Sequence, residues 1–394
     1  MMTRAWMPGK NGRDAQMTTL VTGGTGFTGS HLVRRLLERG QHVRVLDNQP
    51  GLFHDDLKAM GAEIMIASVT DAKAVDQAVE GCEVVQHTAA AFRKLNVPAQ
   101  HYWDVNVEGT RNVADACLRY GVRRLVYCST QGVHGHVADE IGNEQSPIAP
   151  ADYYQETKYE GEKVVQGYVQ KGLDANIIRP TAIYGPGDPG RFLILFKLVQ
   201  RGTFHMFGPG TSHYHPVHIE NLVDSFELAA EKEGITGEAF IIGDDHSYEL
   251  NALVREVARA MDRDVTIKHW PFAPLRAASV VCEAMCKPIR VTPPLFPRRV
   301  DWFKQHRSFD ISKAREVLGY EPRVDLPTGL KQTGEWYRQY GYLDGHPQRD
   351  VHLPPSLTEG PEAAGLESGV HARIGDGGNR IHGGASCTDA RQTG

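Results

Sequence analysis

The sequence predicts an α/β fold in which a doubly wound parallel sheet is followed by a smaller, irregular C-terminal lobe. Short apolar segments alternate with helical patterns from residue 18 to residue 178, which is typical of parallel strands connected by helices on both faces of a sheet. A glycine-rich segment, 21–29, joins the first apolar segment to the first helical pattern. After residue 180 the alternation stops, and Gly-Pro-Gly sequences at 185–187 and 208–210 separate short elements.

The predicted elements follow one another in a regular order along the first half of the chain. Each strand is a short run rich in β-branched and other apolar residues, and each helix places apolar residues three or four positions apart. The predicted strands are 18–21, 42–46, 63–67, 83–87, 123–128 and 175–178, and the predicted helices are 31–39, 54–60, 71–79, 100–120 and 152–171.

Length and composition agree with a globular α/β protein. The 394 residues can bury a large core in two domains or in one large domain. The net charge of −5 and the lack of a long basic run argue against nucleic acid as a partner. Six cysteines without a C-x-x-C pair, no signal-peptide pattern and no apolar run of about 18 residues predict a cytoplasmic protein with reduced thiols.

The glycine-rich segment has the spacing G-x-x-G-x-x-G, with Gly23, Gly26 and Gly29 at its glycine positions. Glycine allows a tight turn, lets backbone N–H groups approach a pyrophosphate, and lets the following helix pack closely on its strand. The pattern alone also fits an ordinary loop, but here a strand precedes it and a helix follows it. Asp47, about 20 residues further on, ends the next strand, where a carboxylate can bind the ribose of a dinucleotide. No arginine follows Asp47, so the sequence predicts NAD and not NADP as the cofactor.

A second pattern predicts acid–base chemistry. Tyr154 and Lys158 are four residues apart, so both side chains project from one face of the predicted helix 152–171. A nearby ammonium stabilises a phenolate and shifts a tyrosine toward use as a base at neutral pH. Thr130, at the end of the preceding strand, would hydrogen-bond the substrate oxygen as its charge changes. A Tyr-x-x-x-Lys pair is common on helices, and only its combination with the glycine turn and Thr130 points to catalysis.

These features resemble the extended short-chain dehydrogenase/reductases of the NAD-dependent epimerase/dehydratase type, over about residues 17–342. The resemblance implies a Rossmann-type sheet, Tyr154 as the acid/base, Lys158 as a ribose ligand and Thr130 as the contact of the substrate hydroxyl. The family often forms homodimers through a helix bundle, so a homodimer is implied too. The resemblance rests on 22–29, on His-Thr-Ala-Ala at 87–90, on Asn-Val-Glu-Gly-Thr at 106–110, on Tyr154 with Lys158, and on 179–186.

The glycine turn and the resemblance together give a set of expected NAD contacts. The turn around Ala89 is expected to touch the cofactor, and the stretch 180–183 is expected near the nicotinamide. Ser68 and Val69 stand where family members often have an aspartate that meets the adenine. The expected cofactor-binding residues are Gly23, Thr25, Gly26, Phe27, Thr28, Asp47, Ser68, Val69, Thr88, Ala89, Ala90, Asn106, Tyr154, Lys158, Pro180 and Ile183.

The expected substrate is a small molecule, and departures from the family pattern bear on its class. Gln131 and Gly132 follow Thr130 where dehydratases of nucleotide sugars have an Asp-Glu pair, so dehydration is not expected. The segment 212–216 lacks the arginine with which nucleotide-sugar epimerases commonly bind a diphosphate. The stretches 218–222 and 310–322 are more similar to the branch containing 3β-hydroxysteroid and sterol-4-carboxylate 3-dehydrogenases.

One aromatic and basic segment, 293–303, leaves several alternatives open. It could form an apolar lid, contact a membrane surface without spanning it, or pack its aromatic residues on the lobe as an ordinary loop. Arg298, Arg299 and Arg307 could bind a diphosphate, which keeps a nucleotide-sugar substrate open.

The sequence therefore predicts an NAD-dependent dehydrogenase acting on a secondary alcohol of an apolar, steroid- or sterol-like substrate. The alternatives are a nucleotide-sugar epimerase with a transient 4-keto intermediate, and a catalytically inactive NAD-binding regulatory protein. No metal site is expected, because nothing completes a ligand set with the nearby His213, His215 and His218. The expected organisation is a flexible extension at 1–16, an NAD-binding domain at 17–180, a mainly substrate-binding lobe at 181–342 with segments returning to the first domain, and a disordered tail at 343–394.

Overall fold

The computed structural model describes residues 17–92, 97–137, 141–188, 190–286, 293 and 295–343. The predicted N-terminal extension, 1–16, lies outside the described residues, and so does the predicted tail 343–394 apart from Leu343.

The first half of the chain forms the predicted alternation of strands and helices. Most boundaries agree with the predicted ones within two residues. Two larger differences occur: the first helix begins at Phe27, because the glycine turn itself supplies its N-cap, and a π-helical turn, Asp104–Glu108, interrupts the predicted helix 100–120. The elements are β1 (Thr18–Thr22), α1 (Phe27–Glu38), β2 (His42–Asp47), α2 (His54–Ala59), β3 (Glu63–Ile66), α3 (Ala72–Val79), β4 (Val84–His87), α4 (Ala99–Trp103), α5 (Gly109–Tyr120), β5 (Arg124–Cys128), α6 (Tyr153–Val169) and β6 (Ala175–Pro180).

The second half has shorter and less regular elements, as the Gly-Pro punctuation predicts. A second π-helical turn, Ala314–Leu318, precedes the last helix. The elements are β7 (Ala182–Tyr184), α7 (Arg191–Gln200), β8 (Thr203–Phe207), β9 (His213–Tyr214), β10 (Pro216–His218), α8 (Ile219–Glu231), β11 (Ala239–Ile242), β12 (Tyr248–Glu249), α9 (Leu250–Ala260), β13 (Thr266–Trp270), α10 (Phe272–Cys286), α11 (Pro297–Asp301) and α12 (Leu326–Gln339).

The main sheet has seven parallel strands in the order β11-β6-β5-β4-β1-β2-β3. The chain builds outward from β1 to β3 and then crosses to β4 on the other side of β1. The strand order therefore reverses between β1 and β4, where Thr22 pairs in register with His87. A crevice opens at the carboxyl ends of strands at such a reversal, and ligands of doubly wound sheets bind there. The predicted fold class is confirmed.

Helices cover both faces of this sheet, and alternation along each strand divides its side chains between two cores. On β1, Leu20 packs among side chains of α3, α5 and α6, whereas Val21 packs among side chains of α1 and α8. Both are fully buried, as are Val43 and Leu46 on β2. Strands buried on both faces read as continuous apolar runs, and this explains the run of Val and Leu in β2.

The C-terminal lobe has a third core, formed mainly by α7, α9 and α12 around Phe196, Leu253 and Tyr337. Two segments leave the lobe and join the first half: β11 extends the main sheet beside β6, and α8 packs against α1. None of the helices within the described residues is long and apolar enough to cross a bilayer.

Candidate active site

The glycine turn lies at the carboxyl end of β1 and has almost no room for side chains. Gly23 has φ +68°, and a Cβ there would lie 2.8 Å from the backbone of Ala89. A Cβ on Gly29 would lie 2.2 Å from the Gly23 carbonyl oxygen. Gly26 is the N-cap of α1, so the free N–H groups of Phe27 and the residues after it face the turn. This backbone cradle has the form that receives a pyrophosphate.

Asp47, at the end of β2, holds this turn in place. Its Oδ2 accepts hydrogen bonds from the backbone N–H of Thr25 (2.9 Å) and from the Thr25 hydroxyl (2.7 Å), and its Oδ1 accepts from Asn48 N (2.8 Å). Gly51, which the sequence reasoning missed, lets this region close, since a Cβ there would lie 1.9 Å from the Thr25 carbonyl oxygen. A ribose contact of Asp47 stays a prediction.

Two predicted adenine contacts, Ser68 and Val69, follow β3. Val69 is buried, and a Cβ on Gly109 would lie 2.6 Å from its Cγ2, so a glycine at the start of α5 makes room for this valine. The Ser68 hydroxyl lies 2.8 Å from the Thr70 hydroxyl. Both residues are close to the edge of the crevice, and their contact with a cofactor stays a prediction.

His87 braces the carboxyl end of β4 and was not singled out as a site residue from the sequence. Its Nδ1 lies 2.6 Å from the Thr22 hydroxyl and its Nε2 lies 3.0 Å from the Thr110 hydroxyl. Burial, with a smaller effect of Lys158, lowers the pKa of His87 to about 3, so the imidazole is neutral. The Thr88 hydroxyl donates to the Thr22 carbonyl oxygen at 2.7 Å, which fixes the start of the turn 88–91 beside the glycine turn.

Asn106 lies in the first π-helical turn and connects two parts of the site. Its Oδ1 accepts from Ala91 N (2.8 Å), and its Nδ2 donates to the Ala91 carbonyl (3.2 Å) and to the Thr157 hydroxyl (3.0 Å). The Thr157 hydroxyl in turn donates to the Tyr154 carbonyl at 2.9 Å. These contacts make Asn106 a positioning residue for the 88–91 turn and for α6, while its predicted cofactor contact stays a prediction.

Thr130 follows β5 and begins a short 3₁₀ turn, Gln131–His134. Its hydroxyl accepts from Gly132 N at 3.0 Å, so the hydroxyl proton can be donated to a substrate oxygen. A Cβ on Gly132 would lie 3.0 Å from the Gln155 side chain, which therefore rests on this turn. Asp152 caps α6 by accepting from Gln155 N at 2.9 Å. The turn that carries Thr130 and the first turn of α6 are thus fixed against each other.

Tyr154 and Lys158 lie on α6 at the carboxyl ends of β4 and β5. The Tyr154 ring packs on Phe92, with ring centroids 4.8 Å apart. Lys158 is 1% exposed, its Nζ lies 4.3 Å from the centroid of the Tyr127 ring, and none of the described residues gives it a hydrogen bond. Burial lowers the pKa of Lys158 to about 8, against smaller opposing effects of Cys128 and Glu162.

A buried ammonium without a hydrogen bond is costly, so its retention fits a site that receives a polar ligand. Within the described part of the chain, the buried hydroxyls of Ser129 after β5 and Thr181 after β6 also have no hydrogen-bond partner. The sequence reasoning singled out neither. Pro180 ends β6 and Ile183 lies in β7 beside them, where the nicotinamide end was expected. The cradle at Gly23 and these unpaired groups fit NAD.

The three histidines at 213, 215 and 218 do not form a common centre. His213 Nδ1 lies 2.9 Å from the Ser247 hydroxyl, His215 Nε2 lies 2.9 Å from the Asp244 carbonyl, and His218 Nδ1 accepts from Glu220 N at 3.3 Å. Within the part of the chain that the structure describes, no group of three or more metal-ligating side chains is placed to hold an ion.

Residues 19–243 match the model of the NAD dependent epimerase/dehydratase family. The chain belongs to this family. It is 32% identical to a 3 beta-hydroxysteroid dehydrogenase/Delta 5-->4-isomerase of Mycobacterium tuberculosis over 355 residues, covering 82% of this chain and 92% of that protein.

A second relative is the Escherichia coli N-acetyl-alpha-D-glucosaminyl-diphospho-ditrans,octacis-undecaprenol 4-epimerase, 28% identical over 80% of this chain and 93% of that protein. Among solved structures, UDP-glucose 4-epimerase of Thermotoga maritima with UDP-glucose superposes with a TM-score of 0.66 at 26% identity. The superposition covers 82% of this chain and 99% of the Thermotoga maritima chain. The predicted family is confirmed, the protein is an NAD-dependent enzyme of the extended short-chain dehydrogenase/reductase type, and relatives with different substrate classes match it.

Proposed function

We propose that this family member is a dehydrogenase that oxidises a secondary alcohol of an apolar, steroid- or sterol-like substrate. The main observation that supports this proposal is that the segment 212–216 contains no arginine or lysine. Tyr214 and His215 are both buried there, and burial lowers the pKa of His215 to about 4, so neither of these two side chains supplies a positive charge near neutral pH. A diphosphate buried against such a surface without a paired cation would lose several kcal/mol.

Aromatic side chains around β9 strengthen this proposal. The Tyr214 ring contacts Phe192 and Trp302, with centroids 6.1 and 5.9 Å apart, and Phe303 packs on Phe207 at 5.5 Å. Trp302 and Phe303 thus pack on the lobe, as the ordinary-loop alternative for 293–303 predicts. These side chains belong to the core of the lobe, so the surroundings of β9 are mainly aromatic and apolar, which suits a hydrocarbon skeleton better than a sugar diphosphate.

The proposal assigns the catalytic roles to three side chains, Thr130, Tyr154 and Lys158. The Tyr154 phenol oxygen takes the proton of the substrate hydroxyl, while Thr130 donates a hydrogen bond to the same oxygen. The Lys158 ammonium favours the phenolate form of Tyr154 and holds a hydroxyl of the cofactor ribose. NAD, held by the glycine turn and Lys158, supplies the hydride acceptor.

One observation favours the epimerase alternative. Arg307 is 7% exposed and its backbone N–H donates to the His213 carbonyl at 2.9 Å, so a buried guanidinium lies next to β9. It could bind a diphosphate in place of the missing arginine. The other two candidates, Arg298 and Arg299, have side chains outside the described residues. The regulatory alternative is less well supported, because a protein that only binds NAD would need neither Tyr154 nor Thr130.

The test is a substrate panel containing hydroxysteroids, sterols, UDP-sugars and dTDP-sugars, each incubated with enzyme and NAD. We expect stoichiometric NADH from an apolar alcohol and none from any sugar. Tyr154→Phe serves as the matched control, because it keeps the ring that packs on Phe92 and removes the proton acceptor. Interconversion of a nucleotide sugar without net NADH, together with silence from every hydroxysteroid, would replace this proposal with the epimerase.

A further inference from the structure

Helix α10 carries its apolar side chains outward. It has 15 residues, and Ser279 is its only buried one. Val281 is 57% exposed and Met285 is 70% exposed, and the exposed positions form a stripe with no charged or hydrogen-bonding side chain. The exposed residues are Ala273, Pro274, Ala277, Ala278, Val280, Val281, Ala284 and Met285.

Two polar side chains of the same helix, Arg276 and Ser279, lie outside this stripe. Arg276 Nε donates to Asp301 of α11 at 2.7 Å, and the Ser279 hydroxyl donates to the Arg276 carbonyl at 2.7 Å. Lys304 lies over the Phe272 ring, with its Nζ 4.7 Å from the ring centroid. This arrangement reverses that of a helix exposed to water, whose polar side chains face outward. An outer environment that is apolar explains it.

The charge of the segment around α10 indicates what this apolar environment is. The segment 266–307, which contains α10, has eight Lys and Arg residues against two Asp and Glu, whereas the rest of the chain has 35 against 46. Lys268 is exposed beside Trp270, which is 48% exposed at the start of the helix. Apolar and indole side chains flanked by basic residues are the features of a helix that lies in the surface of an anionic membrane.

We propose that α10 binds flat on an anionic lipid bilayer, with its apolar stripe in the interface and the exposed Lys268 on the lipid headgroups. At about 1.5 Å per residue the helix is too short to cross a bilayer, so it anchors the enzyme without spanning the membrane. A second copy of the chain is a poorer occupant, because a symmetric interface would bring two positively charged segments together. The surface is separate from the catalytic groups and stands whatever the substrate is.

The experiment is co-sedimentation of the full chain with vesicles of phosphatidylcholine, with and without phosphatidylglycerol. We expect binding to the anionic vesicles that weakens as salt is raised, because the headgroup attraction is screened. The variant Val281→Glu/Met285→Glu should lower the partition coefficient at least about tenfold. Met60→Glu/Tyr120→Glu, which changes two other exposed apolar side chains, is the matched control and should bind like the wild type.

The sedimentation results either support or overturn the binding of α10 to the membrane. Failure of the wild type to sediment with anionic vesicles at low salt would overturn it, as would equal binding of both double variants. Unfolding temperatures of the variants establish that each is folded; the replaced side chains are exposed, so folding should be retained. If sedimentation velocity without lipid shows a dimer that only Val281→Glu/Met285→Glu dissociates, then a second copy covers the stripe, and the membrane proposal is wrong.

Discussion

Replacing Lys158 by methionine should make the cofactor-free protein more stable while it removes activity. The ammonium of Lys158 is buried, touches the Tyr127 ring and has no hydrogen-bond partner in the portion of the chain that the structure describes. Methionine has a similar length and no charge, so it can fill the same space without the cost of desolvation. The same substitution removes the group assigned to the ribose and to the Tyr154 phenolate, so turnover and NAD affinity should both fall.

The size of the effect follows from the pKa of Lys158. A value of about 8 in the folded protein, against 10.5 when exposed, corresponds to about 3 kcal/mol of destabilisation at pH 7. The variant also loses the contact with Tyr127, worth about 1–2 kcal/mol. The net gain is therefore about 1–2 kcal/mol, or an unfolding temperature higher by about 2–6 °C.

The stability difference between Lys158→Met and the wild type should depend on pH. Because the folded-state pKa is depressed, the unfolded chain binds more protons between pH 8 and pH 10.5, and wild-type stability rises with pH through that window. The advantage of Lys158→Met should therefore shrink by about 2 kcal/mol between pH 7 and pH 9.5. Denaturant or thermal unfolding at both pH values measures it, with Lys163→Met, an exposed lysine of the same helix, as control. A destabilised variant, or a difference that does not change with pH, would refute the reasoning.

Three further predictions concern the rest of the site. Tyr154→Phe should lower turnover by roughly 10²–10⁴ with little change in NADH affinity, whereas Tyr153→Phe should keep near-normal turnover; the reverse result would reassign the base. NADH should bind at least about tenfold more tightly than NADPH by titration, because Arg44 donates to the Ala78 carbonyl at 2.8 Å and is unavailable to a 2′-phosphate. Gly23→Ala should lower the unfolding temperature more than Gly40→Ala, since both have φ near +70° but only Gly23 is crowded; equal losses would contradict the crowding argument.

The main sheet could be predicted because its strands are buried on both faces and its connections are helical, and both properties leave local patterns. The interruption of the predicted helix 100–120 could not be predicted locally. The π-helical turn Asp104–Glu108 places Asn106 against Ala91 and Thr157, residues 15 and 51 positions away. The pairing of β11 with β6 also depends on contacts distant in sequence.

The site was predictable where its spacing is local. Tyr154 and Lys158 are one helical turn apart, and the glycine turn is contiguous in sequence. Gly51 was missed because its requirement is the approach of the Thr25 carbonyl, 26 residues away. Ser129 was missed for a different reason: a serine before Thr130 carries no signal until the structure shows its hydroxyl buried and without a hydrogen-bond partner among the described residues.

The electrostatics of the site depend on residues that no motif includes. Around Lys158, burial keeps His87 neutral and raises the pKa of the Cys128 thiol to about 11. The nearby carboxylate of Glu162 is bound to Arg179 through contacts of 2.9 and 2.6 Å. One positive charge therefore stands among neutral groups and an already paired carboxylate. An anion that forms beside it gains more there than in water, and the proposed role of Tyr154 as the base depends on this effect.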